Sequence, residues 1–206
     1  MSQTMKGKNQ KKIELVPITS LPTELQLRVR DIRNEENVRK WMYTDHMIST
    51  TEHFEWINNL KKDDRQIVFV VLSEECIPLG VISVNNIDYF HKKASWAYYL
   101  TQTERGGLGP SLEYFFVNFV FDNLKLEKLN CEVIEGNFII VKLHKKFFFQ
   151  EEGLRRSDII KNGVRIGVHL LGLTKEDWLA GNAEIQEKYR GIFEKFSITA
   201  RWRFEN

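Results

Sequence analysis

The chain reads as an α/β protein built on a mixed central sheet, and three observations lead there. Its 206 residues give room for one ordinary domain with a real core. Apolar runs of strand character and segments of helical periodicity follow the order β, α, α, β, β, β, α, β, α, β. That order does not alternate strictly, which disfavours a doubly wound parallel sheet and leaves a sheet of mixed direction flanked by helices. Finally, one strand runs through a glycine-rich loop directly into a helix.

Residues 1–12 are polar and rich in Lys and Gln, and are expected to be a disordered tail; 13–178 form the domain and 179–206 a helical C-terminal extension. Residues 13–18 alternate enough for a first strand. Over 23–43 the apolar positions Leu25, Leu27, Val29, Ile32, Val38 and Trp41 fit one or two helices broken near Asn34. A helix over 50–62 is clearer, because Thr50 or Thr51 can cap it while Phe54, Ile57 and Leu60 recur at helical spacing. Strands over 66–72 and 79–87 flank a turn with Glu74, Glu75 and Pro78, and a third strand covers 95–101. Pro110 suits the first position of a helix reaching about Asn123, where its missing N–H costs nothing. A strand over 129–135, a helix over 137–147 and a strand over 164–171 follow. Thr174, with Asp177 three residues on, resembles a weak capping box at the start of the tail.

Composition excludes several classes. The 30 basic and 28 acidic residues are interspersed, giving a net charge of +2 without the segregated basic face of a nucleic-acid binder. No apolar run approaches the roughly 20 residues of a membrane span, and the polar N-terminus lacks the apolar stretch of a signal peptide. Cys76 and Cys131 suggest neither a disulfide framework nor a metal site, so a reducing cytoplasm is expected. His46, His53, His91 and His169 have no metal-ligand spacing, and no Ser-His-Asp or Cys-His set stands out.

The most informative segment is 96–111, Trp-Ala-Tyr-Tyr-Leu-Thr-Gln-Thr-Glu-Arg-Gly-Gly-Leu-Gly-Pro-Ser. A loop of this kind aims backbone N–H groups and a positive helix end at one point, which suits a phosphate or pyrophosphate. Gly106, Gly107 and Gly109 allow an approach that a β-carbon would obstruct, and Arg105 adds a cation. A tight turn is the plainer reading. No Gly-Lys-Ser/Thr follows, so it is not a Walker loop, and the spacing is not that of a Rossmann fingerprint.

Here the sequence resembles the GNAT acetyltransferases, whose loop is typically Arg/Gln-x-x-Gly-x-Gly/Ala. Gly107 and Gly109 match its small positions, while Glu104 stands where Arg or Gln is usual and the cation falls on Arg105. Asn137, Leu143, Lys146 and Phe149 match the family's Asn-x-x-Ala-x-x-Leu-Tyr-x-Lys-x-Gly-Phe, with His144 in place of Tyr and Phe148 in place of Gly. The resemblance covers about 13–178. It narrows to the acetyltransferases of pseudaminic acid biosynthesis on Arg33-Asn34, the run 38–43, Ile48-Ser49, His53, Trp56 and Leu143-His144. Those enzymes acetylate the 4-amino group of a UDP-linked 4-amino-4,6-dideoxy sugar. Related enzymes acetylate protein N-termini of the ribosomal type or polyamines, and a non-catalytic acyl-CoA-binding module shares the scaffold. A homodimer is compatible with all of them.

The resemblance implies a GNAT fold in which strands 95–101 and 130–135 splay and acetyl-CoA enters between them. Backbone groups of Tyr99, Leu100 and Thr101, with Asn137, would bond its pantetheine arm, and Arg105, Gly106, Gly107, Leu108, Gly109, Pro110 and Ser111 its pyrophosphate. Asn137 can equally cap its helix. Glu132 is the expected base, since a carboxylate in a partly dry cleft gains affinity for a proton; a solvent-facing strand carboxylate is the plainer reading. His144 is the expected acid, with an ordinary histidine's loss of the acid form as pH rises, against a surface histidine beside Lys145 and Lys146. Trp41, Met42, Tyr43 and Trp56 would line the acceptor site, whose rings suit a uracil base and an apolar 6-methyl group. Arg33, ahead of Arg30 and Arg39, would meet the nucleotide phosphates. Direct attack of the amine on the thioester is expected.

Overall fold

The most apolar run of the chain forms an interior strand of the sheet. In β2 (Ile67–Ser73) every residue from Ile67 to Leu72 is buried, as expected of a strand covered on both faces. Successive side chains point to opposite faces. Ile67, Phe69 and Val71 join one apolar cluster, and Val68, Val70 and Leu72 join another. The structure, a computed structural model, describes residues 10–104 and 106–202. The expected disordered tail therefore lies mostly outside the described residues.

Around β2 the eight-stranded sheet runs in the order β6-β7-β5-β4-β3-β2-β1-β8. Its other strands are β1 (Lys11–Pro17), β3 (Pro78–Asp88), β4 (Lys93–Leu100), β5 (Lys128–Ile134), β6 (Gln150–Lys161), β7 (Val164–Thr174) and β8 (Phe196–Ala200). The β4–β5 and β1–β8 pairs are parallel and the rest antiparallel. On one face lie α1 (Thr23–Asn34), the short α2 (Glu36–Arg39) and α3 (Thr50–Leu60), with Val29 and Ile57 in the smaller cluster. On the other lie α4 (Leu108–Asp122), α5 (Phe138–Lys146) and α6 (Lys175–Phe193), which contribute Phe116, Val141 and Trp178 to the larger one. Phe69 is fully buried against Phe116 and Phe119, and truncating such a ring to alanine costs about 3–5 kcal/mol.

The mixed α/β sandwich expected from sequence is the fold observed, with four local corrections. Lys11 and Lys12 are strand, not tail, because β8 pairs with them (Lys11 with Phe196, Lys12 with Ser197) and lengthens β1 into the polar stretch. Residues 41–43 are not helical; the helical run ends at Arg39. The cap of α3 is Ser49, in a reciprocal box with Glu52, one residue before the expected threonines. The C-terminal extension is a helix to Phe193 and then the strand β8. Thr174 does cap α6, its hydroxyl oxygen accepting from Asp177 N at 3.1 Å. No helix among the described residues is long and apolar enough to cross a membrane.

Candidate active site

The site begins where two strands part. β4 and β5 are in parallel register at Lys93–Lys128, Ala94–Leu129 and Ser95–Asn130, and at no later pair. Beyond it 96–100 and 131–134 diverge around a cleft of about 590 Å³. On its β4 side the hydrogen bonding to β3 alternates. Thr101 N donates to Leu79 O at 2.8 Å, and Tyr99 sits opposite Val81 in the same register. Tyr99 and Thr101 thus turn their amides to β3, and Leu100 is the one of the three expected residues whose N–H and C=O face the gap. The Thr101 hydroxyl is also engaged, donating to Glu35 Oε1 at 2.7 Å.

At the end of this gap the chain enters α4. Gly106 (φ 95°) and Gly107 (φ 102°) are left-handed, a conformation that side chains disfavour. The helix starts at Leu108, two residues earlier than expected, which puts Pro110 third in the first turn. Gly107 is the N-cap, so no side chain answers the first N–H groups, and the positive end of the helix is left for an anion. Gly107, Leu108, Gly109 and Pro110 all line the cleft. A β-carbon on Gly109 would lie 3.5 Å from the Tyr98 hydroxyl, pointing at the wall of the gap. Ser111 is turned away: it is buried, and its hydroxyl donates to Gly107 O at 2.9 Å. Arg105 lies outside the described residues.

His144 lies in the floor of the cleft and is only 4% exposed. The surface histidine that its lysine neighbours suggested is not what folds. Its Nδ1 pairs at 2.7 Å with Oε1 of Glu113, which is 0% exposed. The Trp96 and Phe149 rings each lie 5.3 Å from the imidazole. Burial by itself lowers the proton affinity of this ring, but Glu113 and Cys131 outweigh it, and its pKa is pushed up to about 10. Asn137 precedes α5 without capping it through its side chain, and it too lines the cleft.

Glu132 also lines the cleft, but not as an isolated carboxylate. Its Oε1 accepts from Arg155 Nη1 at 2.9 Å and its Oε2 from the Tyr43 hydroxyl. Arg155 comes from β6, whose far end also holds the turn after α2. There Lys161 Nζ donates to Arg39 O at 3.3 Å and to Met42 O, and Asn162 N donates to Asp45 Oδ2 at 2.9 Å.

A second cavity of about 430 Å³ lies on the α1–α3 side of β4. The expected acceptor residues divide between the two. Trp41 lines the cleft, Arg33 and Trp56 line the second cavity, and Met42 lines both. Tyr43 lines neither and reaches Glu132 instead. Arg33 Nη2 donates to Thr44 Oγ1 at 2.6 Å, while its Nη1 is buried without a partner among the described residues. Burial, with Arg39 nearby, lowers its proton affinity even though Tyr99 acts to raise it. Arg30 is committed to Asp31 and Thr50.

Sequence reasoning missed β6 and Glu113. The signal for Glu113 was present: it shares a helix face with Phe116, Val117 and Val120 at helical spacing, all buried. For β6 there was little, because its residues are mostly exposed and polar.

Residues 27–170 match the acetyltransferase (GNAT) domain family. The chain is 28% identical over 128 residues to the SPbeta prophage-derived uncharacterized N-acetyltransferase YokL of Bacillus subtilis, covering 60% of this chain and 70% of that protein. It is also 28% identical over 117 residues to the acetyltransferase PseH of Campylobacter jejuni, covering 57% and 71%. In fold it is similar to a spermidine N-acetyltransferase from Vibrio cholerae solved with CoA and spermine, with a TM-score of 0.74, 21% identity, and 84% and 99% of the two chains covered. The parted strands, the side-chain-free cap of α4 and the match over 27–170 agree: the chain belongs to the GNAT acetyltransferase family and is an N-acetyltransferase whose co-substrate is acetyl-CoA.

Proposed function

We propose that the acceptor is the amine of a nucleotide-linked amino sugar, of the UDP-4-amino-4,6-dideoxy type. The observation that carries this reading is the charge of the second cavity. Arg33 lines it, with one guanidinium nitrogen buried and without a partner among the described residues, and Glu52 is the one carboxylate among the described lining residues. Glu52 is already engaged, accepting from Ser49 N at 2.8 Å in the α3 cap and pairing with His46 at 3.0 Å. A polyamine, carrying several positive charges, would meet Arg33 with no free carboxylate to answer it. A diphosphate supplies the anion that Arg33 lacks, and Trp56 offers a ring for a flat base. The similarity to PseH points the same way.

In this reading Leu100, Asn137 and the turn from Gly107 to Pro110 hold acetyl-CoA, which supplies the thioester. Glu132 takes the ammonium proton when the incoming amine reaches its carboxylate. His144 gives the proton on Nε2 to the departing sulfur. Mass-spectrometric measurement of acetyl-CoA turnover against UDP-4-amino sugars, spermidine and peptides tests the assignment. Acetylation of the sugar nucleotide with the highest kcat/KM is expected; spermidine or a peptide as the preferred acceptor overturns it.

A further inference from the structure

Glu113 is a carboxylate in the middle of an apolar helix, with Leu112 and Phe116 buried on either side of it. A buried carboxylate without a partner is costly, and a buried pair is tolerated only when each charge answers the other. Glu113 has one such partner. Oε1 meets His144 Nδ1 at 2.7 Å, and Oε2 has none among the described residues. The titratable groups packed around His144 come from three elements: Tyr98 of β4, Cys131 of β5 and Glu113 of α4. Trp96 and Phe149 close the rest of its surroundings with rings. Of the three titratable groups Glu113 is the carboxylic acid, and it is the one seated on Nδ1; the Cys131 side chain adds a second hydrogen bond to the ring.

We infer that Glu113 is a positioning residue for acetyl transfer: it holds the imidazole by Nδ1, so that Nε2 is the nitrogen turned to the cleft with a proton to give. The inference rests on the reading of His144 as proton donor and adds the group that makes it one. The proton balance closes. A C–N bond forms and the thioester C–S bond breaks; the Nε2 proton goes to sulfur, and the ammonium nitrogen sheds two protons by way of Glu132 to solvent, one before the attack and one after it. Solvent then returns a proton to Nε2. Loss of that proton leaves Glu113 as an unanswered buried charge, which draws the next proton in.

Two measurements on the full chain test this. Histidine NMR of the free protein as a function of pH needs no acceptor. The His144 ring is expected to stay doubly protonated through pH 8, to lose that property in Glu113→Gln, and to regain it in Glu113→Asp. In steady-state kinetics Glu113→Gln is expected to lower kcat on the order of 10²-fold at pH 8, within the usual worth of a general acid. KM for acetyl-CoA should hold, the alkaline limb should move to lower pH, and Glu113→Asp should restore most of the rate. The inference is overturned if folded Glu113→Gln titrates like the parent, or if its ring loses the proton early while kcat and the alkaline limb stay put. If none of the sugar nucleotides is acetylated, the acceptor assignment fails, while the NMR result and kinetics with whichever amine is acetylated still decide the role of Glu113.

Discussion

The hydroxyl of Tyr43 donates to Oε2 of Glu132, tying the turn after α2 to the strand that forms one wall of the cleft. Burial first, and then Glu132, hold the Tyr43 hydroxyl above its ordinary range, which favours its role as donor to this carboxylate. Arg155 takes the other oxygen at 2.9 Å. An acceptor amine that reaches this carboxylate either meets a free lone pair of one oxygen or displaces one of the two partners.

Glu132→Gln is therefore expected to lower kcat on the order of 10²-fold, within the usual worth of a general base. Tyr43→Phe frees one oxygen and should change kcat far less, while removing the tie between the turn and β5. Full turnover by a folded Glu132→Gln enzyme, followed across pH, would mean that water takes the amine's proton.

The cofactor turn can be tested at two glycines that differ in what surrounds them. At Gly109 a new β-carbon meets only Tyr98, at 3.5 Å, so Gly109→Val should fold and raise KM for acetyl-CoA. At Gly107 the same change puts a β-carbon 2.5 Å from Ile192 Cγ2, in a left-handed conformation. That variant should lose stability as well, by about 1–2 kcal/mol from the backbone alone. Calorimetry with acetyl-CoA and thermal melts separate the two effects. Unchanged affinity in folded Gly109→Val removes the turn from the binding site.

What the sequence disclosed and what it concealed have the same physical origin. β2 was legible because a doubly covered strand is an unbroken apolar run, and the turn at Gly107 because left-handed backbone selects glycine. The two strands it concealed, β6 and β8, are the two edges of the sheet. Edge strands carry polar and charged residues, as Glu151, Glu152, Arg155 and Arg156 do in β6, and so lose the alternation that marks a strand. Arg155 and Lys161, which hold Glu132 and the turn after α2, were hidden with it. The His144–Glu113 pair was concealed for another reason. Its members are 31 residues apart and on different helices, and only the placement of α4 and α5 over the same apolar cluster brings them together.

The two cavities assign different roles to residues that looked alike in sequence. Trp56 and Arg33 line only the second cavity, whereas Met42 also lines the cleft. Trp56→Ala and Arg33→Met should each raise KM for the sugar nucleotide about tenfold, equivalent to about 1.4 kcal/mol, and leave acetyl-CoA binding unchanged. Met42→Ala should weaken both ligands. The Arg33 effect should shrink with added salt, since it is an ion-pairing loss. Equal losses for both ligands in Trp56→Ala would make that residue structural.

The state of His144 also sets how stability follows pH. Its pKa in the folded protein is about 10, against an ordinary 6.5, because Glu113 and Cys131 outweigh the effect of burial. A group whose folded pKa is raised stabilises the fold fully below its unfolded value and loses that contribution as pH rises through the folded value. The pair's contribution should thus be intact below about pH 6.5 and fade toward pH 10. The double variant Glu113→Leu, His144→Phe removes both charges at once and should lack this decline, because replacing a buried pair by apolar groups is often close to neutral. Melting temperatures of the two proteins between pH 6 and pH 10 check it: a parent that holds a constant difference from the double variant over that window would show that His144 is not held protonated. The same upward shift changes the expectation from an unperturbed histidine, whose acid form is depleted as pH rises. A tyrosine has an ordinary pKa of about 10, and burial beside Glu113 would hold it higher, so His144→Tyr should retain turnover and move the alkaline limb of kcat upward, whereas His144→Phe should lose turnover without losing affinity for acetyl-CoA.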